Sequence, residues 1–264
     1  MAAASRIDVM PAVSTFDGPY PQTVIEQASF FEENGFVVLP SLLSRENLGE
    51  LDNELNRIVD TYEKLPSIRG GFDLEPIEDS TRSSPTFRKI GGISELSDVF
   101  NALLHHELIV EVLHEVMGPE IHLYRDVVMM KPARIGREKP WHQDAVYWPY
   151  EPMILVSALT ALDDATAENG FLQVIPGSHK CQYQHYGDEL RIDLDQQLQS
   201  QTVGVPLKAG DTLLFHSMLL HGSEPNGSNH DRRLTIFSYK PAGLRYIGKA
   251  PQPQEIVVSR RDGG

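Results

Sequence analysis

The segment WHQDAVYWPY, residues 141–150, sets an imidazole and a carboxylate two positions apart among bulky rings. On an extended chain side chains alternate between faces, so His142 and Asp144 point one way and Trp141 and Gln143 the other. A histidine beside an aspartate suits a divalent first-row metal. The pair supplies two of the three ligands of a facial triad, which leaves coordination positions open for oxygen chemistry. The same short pattern also describes a hydrogen-bonded surface pair, which many chains contain by chance.

A third ligand has to come from elsewhere. The stretch GDTLLFHSMLLHGSEPNGSNHDRRLTIFSY, residues 210–239, offers His216, His221 and His230. His230 sits in a polar turn and reads as solvated. His216 and His221 are five positions apart, so on one regular strand they face opposite sides and only one is a natural ligand. His221 closes an apolar run just before Gly222, where a sheet edge opens into a pocket. Downstream, Arg232, Leu234 and Ile236 share one strand face, and Arg233, Thr235 and Phe237 share the other. One arginine therefore accompanies apolar residues inward. A buried guanidinium needs an anionic partner, and its planar fork suits a carboxylate. That partner is either an acid of the chain itself or a bound ligand.

The elements that must hold these residues fall into two zones. Residues 22–34 predict a helix closed by Gly35, and FVVLPSLL a short strand. Ser44 reads as the N-cap of a helix whose Leu48, Leu51, Leu55, Ile58 and Tyr62 recur at helical spacing. Residues 64–88 lack periodicity and read as a long loop, a candidate lid. LSDVFNALLHHELIVEVLHEVMG predicts one or two helices ending near Gly118. Then short apolar or β-branched runs follow: IHLYRDVVMMKP, MILVSALTALD, GFLQVIPGS, QTVGVPLKAGD, TLLFHSMLLHGS and RLTIFSYKP. Gly, Pro, Asn and Asp separate them, the pattern of an antiparallel sandwich or small barrel. The expected class is α+β, helices first and an all-β catalytic core after them. One domain is expected over 1–264, with its core at residues 120–240 and loose termini at 1–20 and 250–264, the last partly extended along the surface.

The 264 residues suffice for one domain with a real core. The formal net charge of −14 makes nucleic acid and anionic lipid unfavourable partners, and mildly disfavours a polyanionic substrate such as an acyl-CoA. No apolar run reaches the roughly 20 residues of a membrane helix, and the start lacks the apolar stretch of a signal peptide. A lone Cys181 forms no internal disulfide, which fits a reducing, cytoplasmic setting.

Taken together, WHQDAVYW, ENGFLQVIPGSHK, GDTLLFHSMLLHGS and PNGSNHDRRLTIF resemble the phytanoyl-CoA dioxygenase family of iron(II)- and 2-oxoglutarate-dependent oxygenases, over residues 28–240. The resemblance implies a double-stranded β-helix, or jelly roll of cupin-like form, with flanking N-terminal helices. It implies that His142, Asp144 and His221 bind Fe(II). Arg232, eleven residues after His221, would clamp the distal carboxylate of 2-oxoglutarate, with Ser223 helping to hold it; Arg233 is the rival. By the same resemblance Lys89, Val127, Gln143 and Leu159 line the cosubstrate site, Leu159 by packing alone because some members carry a tryptophan there. The implied reaction uses O2 to convert 2-oxoglutarate to succinate and carbon dioxide while a C–H bond of a small organic molecule, such as a natural-product scaffold, is hydroxylated or otherwise oxidised. Related halogenases carry a small residue at the position of Asp144, which frees a site for chloride. The carboxylate here implies oxygenation.

Two readings of other classes stand beside this one: a non-catalytic β-helix module that binds a metal or ligand, and a zinc hydrolase using the same His/Asp/His set. A complete triad with an accompanying arginine argues against the first, and an inward arginine has no task in the second. Tyr147, Trp148 and Tyr150 form either a substrate wall or a core aromatic cluster. His105, His106 and His114 read as exposed or satisfied helix residues, Lys131 as a strand end, and His179 as a turn-stabilising residue.

Overall fold

The computed structural model describes residues 13–65, 71–75 and 86–261. Two β-sheets face each other, and helices cover the outer face of the larger one. The larger sheet runs Phe36–Leu39, Thr212–His216, Val156–Ala161, Arg232–Pro241, Glu120–Lys131, Phe87–Gly91 and Phe72–Leu74, with Ile256–Arg260 also paired to Glu120–Lys131. The smaller runs Ser14–Thr15, Val203–Val205, Leu172–Val174, His221–Ser223 and Lys139–His142. Pairing is antiparallel throughout except between the first two strands of the smaller sheet.

Alternation along the larger sheet builds two cores. Val37, Leu39, Ala158, Leu214, Phe237 and Val128 turn outward and meet helical side chains such as Phe31, Leu51, Leu55, Ile58 and Phe100. Phe36, Val38, Leu159, Ala161, Leu213, Phe215 and Leu234 turn inward and meet Val174 and Val205 of the smaller sheet and Phe171 just before it. The inward face is the one that carries Arg232.

The helices begin and end where their residues can satisfy the free backbone groups. Thr23 and Glu26 form a capping box on Val24–Asn34, and Gly35 ends it at φ 79°, a conformation without penalty only for glycine. Ser44 and Asn47 cap Arg45–Thr61, whose buried face is Leu51, Leu55 and Ile58. The histidine-bearing stretch forms two helices, Asp98–Leu104 and Glu107–Met117, preceded by the short Ile93–Leu96. No helix among the described residues is long and apolar enough to cross a membrane.

Three expectations change. The stretch 64–88 is not all loop: Phe72–Leu74 pairs with Phe87–Gly91, while residues 66–70 and 76–85 lie outside the described residues. Ile256–Arg260 is not loose but bonds as a strand along the first half of Glu120–Lys131. Within the expected loose start, residues 1–12 lie outside the described residues, and Ser14–Thr15 pairs with Val203–Gly204.

Candidate active site

His142 ends one strand of the smaller sheet and His221 begins its neighbour, and the two are direct cross-strand partners. Their ring centroids lie 4.2 Å apart. The strand stops at His142, but Gln143 keeps an extended backbone at φ −115°, ψ 126°. Alternation therefore still brings Asp144 to the side of His142, although Asp144 itself opens the 3-10 turn Asp144–Tyr147. Asp144 Oδ1 lies 3.4 Å from His142 Nε2 and 4.0 Å from His221 Nε2. All three residues are buried, and their ligand atoms lie within 4.8 Å of one another.

The second nitrogen of each ring is committed. Nδ1–H of His142 donates to Pro140 O at 2.8 Å, and that of His221 to Leu219 O at 2.9 Å. This fixes each ring and leaves the Nε2 lone pair facing Asp144. Burial, and then the proximity of His142, lowers His221 to about 4, so its imidazole is neutral. Burial opposes ionisation of Asp144, yet its contact with His142 and the positive charge of Arg125 outweigh it and hold the carboxyl below its ordinary value. Neutral imidazoles and an ionised carboxylate are the forms that ligate a divalent ion.

The triad opens onto a cavity of about 440 Å³. Arg232 lines it and is 5% exposed. Its Nη1 donates to Gly170 O, while its Nε is buried without a hydrogen-bond partner. Burial, partly offset by Asp163, lowers this guanidinium to about 10. Gly170 sits at φ +75°, and a Cβ there would meet Glu224 O at 2.1 Å, so only glycine brings that carbonyl so close. Asn169 fixes the same turn by accepting from Thr166 N–H at 2.8 Å and donating to Asp164 O at 2.8 Å. Beside Arg232, Lys131 Nζ donates to Ser223 Oγ at 2.7 Å and also to Glu224 O.

The cavity brings together His142, Asp144, His221, Arg232, Ser223, Lys89 and Leu159. Lys89 is tied to Asp73 at 2.9 Å. Gln143 and Val127 are not among the lining residues. The Gln143 amide turns away and binds Cys181 O and Met218 O at 2.8 and 2.5 Å, while Tyr183 N–H donates to its Oε1 at 3.0 Å. Val127 is buried between Gly91 and Ile236 on the neighbouring strands. Tyr147 and Trp148 line the cavity, whereas Tyr150 packs in an aromatic cluster with Trp148 and Leu155. His216 lies away from the triad against the rings of His179 and Phe31.

Lining residues that sequence reasoning did not assign include Arg88, Arg125, Lys131, Lys139, Leu172 and Phe215. One signal was available: Arg125, Met129 and Lys131 share parity on one strand. The ENGF, PGSH and PNGSN blocks act as supports. Ser178 Oγ accepts from Leu220 N–H at 2.8 Å, just before His221. Asn226 donates to Lys131 O at 2.7 Å and accepts from Ser228.

This geometry has relatives. The sequence profile of the phytanoyl-CoA dioxygenase (PhyH) family matches residues 31–234, and the chain belongs to that family. The peroxisomal phytanoyl-CoA dioxygenase of Mus musculus is 29% identical over 253 residues, covering 89% of this chain and 73% of its own. The ectoine dioxygenase of Halomonas elongata is 28% identical over 253 residues, covering 88% and 73%. Among solved structures, EctD from S. alaskensis with bound Fe aligns at TM-score 0.70 and 25% identity, over 88% of this chain and 82% of that one. The epimerase SnoN, in complex with Fe3+, alpha ketoglutarate and nogalamycin RO, aligns at TM-score 0.69 and 21% identity over 91% and 96%, a likeness of fold alone.

Proposed function

We propose that this chain is an iron(II)- and 2-oxoglutarate-dependent oxygenase that hydroxylates, or otherwise oxidises, a C–H bond of a small organic molecule, and that its two facing sheets are a double-stranded β-helix. The observation that carries the reading is one cavity holding both a convergent buried triad and a buried guanidinium with an unpartnered Nε. A single exposed thiol, Cys181, supports a reducing compartment such as the cytoplasm.

The donor set fits the metal: two imidazoles and a carboxylate on one side leave the other side open. When bound, iron with 2-oxoglutarate and O2 supplies the oxidising power, with succinate and carbon dioxide as coproducts. The chain's own part is position and exclusion of water. His142 and His221 offer Nε2, held by their Nδ1 hydrogen bonds, and Asp144 offers a carboxylate oxygen. Arg232 grips the distal carboxylate of the cosubstrate. Ser223 accepts from Lys131, so its own O–H is free to donate to the same carboxylate. Leu159, Leu172, Phe215, Leu234 and Ile236 wall the inner cavity. Lys89 is a peripheral contact, oriented by Asp73. Gln143 acts from outside the cavity, by pinning the backbone between His142 and Asp144 to the loops at Cys181 and Met218.

The test is anaerobic loading of the purified protein with Fe(II) and 2-oxoglutarate, followed by O2. Succinate formation that needs both iron and O2, and that falls in Arg232→Gln at limiting 2-oxoglutarate, is expected. Absence of iron-dependent succinate across a broad substrate screen overturns the reading.

A further inference from the structure

The part of the cavity away from Arg232 carries a second group of cations, Arg88, Arg125 and Lys139, that make no hydrogen bond or ion pair to the triad. On the strand Glu120–Lys131, Lys131 stands opposite Arg232 and Arg125 opposite Ser238. Six residue steps along the strand separate the two, about 20 Å at the Cα atoms. Arg125 thus belongs to the other end of the cavity from the guanidinium that would hold 2-oxoglutarate.

Arg88 and Lys139 line the same cavity. Arg125 Nε is buried without a hydrogen bond, and its guanidinium lies over the Trp148 ring, 5.7 Å from the centroid. Lys139 Nζ lies 5.0 Å from the Tyr147 ring centroid and 3.5 Å from its hydroxyl, a long contact. Among the described residues the Arg88 side chain makes no hydrogen bond or ion pair. The remaining cavity cations are engaged: Lys89 with Asp73 at 2.9 Å, Arg137 with Glu75 at 3.3 Å, Lys131 with Ser223 at 2.7 Å. Glu138 and Glu189, the other acids near Lys139, are exposed. Burial lowers the Lys139 ammonium's proton affinity and the charges of Arg88 and Arg125 lower it further, against the opposing pulls of Asp144 and Glu189.

Three partly desolvated cations in a chain of net charge −14 repel one another, and an anion placed among them relieves that cost. Planar guanidinium forks match the oxygens of a carboxylate or phosphate, and the adjoining Tyr147 and Trp148 rings give an apolar body somewhere to lie.

We propose that Arg88, Arg125 and Lys139 form an oxyanion subsite that receives a carboxylate or phosphate group of the molecule to be oxidised. The proposal rests on the oxygenase reading above. It makes the substrate an anion with an apolar portion, held by its charged end on the side of the triad opposite the cosubstrate.

Calorimetric titration of protein loaded with Mn(II) and 2-oxoglutarate tests it, with benzoate, phenyl phosphate and neutral benzamide as probes. At least one anion should bind about tenfold or more tighter than benzamide, and the tighter of the two assigns carboxylate or phosphate. Arg125→Gln and Lys139→Met should each weaken that anion about fivefold or more while leaving 2-oxoglutarate affinity unchanged. If Arg125→Gln fails to fold, Arg88→Gln replaces it. Equal binding of benzamide, no binding of either anion, or unchanged anion binding in the variants overturns the subsite. A variant that loses 2-oxoglutarate instead also overturns it, since its cation then serves the cosubstrate. Failure of 2-oxoglutarate to bind wild-type Mn(II) protein overturns the oxygenase reading instead, and the same anion titrations on the metal-loaded protein then decide the subsite.

Discussion

Arg232 and Arg233 are adjacent in the chain yet stand on opposite faces of one sheet, one open to a cavity and one closed by aspartates. Arg233 Nε and Nη2 bind the two oxygens of Asp163 at 2.8 and 2.7 Å, and Nη1 reaches Asp52 at 2.5 Å. Arg232 has the Gly170 carbonyl and a buried, unpartnered Nε. Arg232→Gln should therefore raise the KM for 2-oxoglutarate roughly 30-fold or more, about 2 kcal/mol for a lost buried charge-assisted fork. Arg233→Gln should do the reverse, lowering Tm while the KM stays near wild type. Succinate kinetics and thermal melting separate the two. Equal effects on KM would refute the division of labour.

Asp144 supplies the negative charge of the proposed metal site, and both imidazoles turn Nε2 toward it. Asp144→Gly should lower Fe(II) or Mn(II) affinity at least about tenfold and abolish 2-oxoglutarate turnover. Chelation should silence the wild-type protein, with Fe(II) restoring it and Zn(II) filling the site without activity. A glycine variant that binds iron and turns over as wild type does would remove Asp144 from the ligand set.

How much of this was legible beforehand follows from what spacing encodes. Period-2 alternation brought His142 beside Asp144, because extended backbone obeys it even past the last paired residue, and it put Arg232 and Arg233 on opposite faces; the family resemblance, not the period, chose Arg232 as the inward one. It misjudged the run Thr212–Ser223, which reads as one strand. A turn at Ser217–Leu219 instead sends Thr212–His216 to one sheet and His221–Ser223 to the other. That turn is held by contacts from afar: Ala145 N–H on Ser217 O at 2.9 Å and Ser217 Oγ on Met153 O at 3.0 Å. Alternation also gives a face but not a reach. Gln143, on the face opposite its neighbours, binds loop carbonyls, and Lys131 reads as a strand end although its ammonium lies inside the cavity. The short hairpin of Phe72–Leu74 and Phe87–Gly91 lacks the length to show any period.

Lys131 gives the site a pH dependence whose sign can be worked out. Burial, and then the charge of Arg232, lowers its ammonium to about 7. The unfolded chain keeps this proton up to the ordinary 10.5, so between these values the unfolded state holds more protons and stability rises with pH. A dianion beside Lys131 favours its charged form. Binding of 2-oxoglutarate above pH 7 should then take up a proton, and affinity should fall as pH rises, by at most about tenfold per unit. Lys131→Met should flatten the slope. Calorimetry of the Mn(II) protein in buffers of different ionisation enthalpy reads the proton directly, and equal uptake in wild type and variant rules the lysine out.

The last strand is fastened by a charge cluster that does not line the cavity. His122 sits between two carboxylates, its Nδ1 2.5 Å from Glu255 and its Nε2 2.8 Å from Glu120. Lys240 adds a bond to Glu255 at 2.5 Å and Arg260 one to Glu120 at 2.6 Å. Burial raises Glu255, but the hydrogen bonds from His122, Lys240 and Gln252 prevail and bring it to about 2; Arg260 and then His122 bring Glu120 to about 2. With folded values below the ordinary 4.5, both acids stabilise the fold above that pH, and the contribution fades as pH falls from 4.5 toward 2. The amides of Ile256–Arg260 should lose hydrogen-exchange protection across that window, ahead of those in Arg232–Pro241. Glu255→Gln should weaken protection at neutral pH and shrink the change on acidification. An Ile256–Arg260 segment that stays protected down to pH 2 in both proteins would show that backbone pairing to Glu120–Lys131, not the charge cluster, holds it in place.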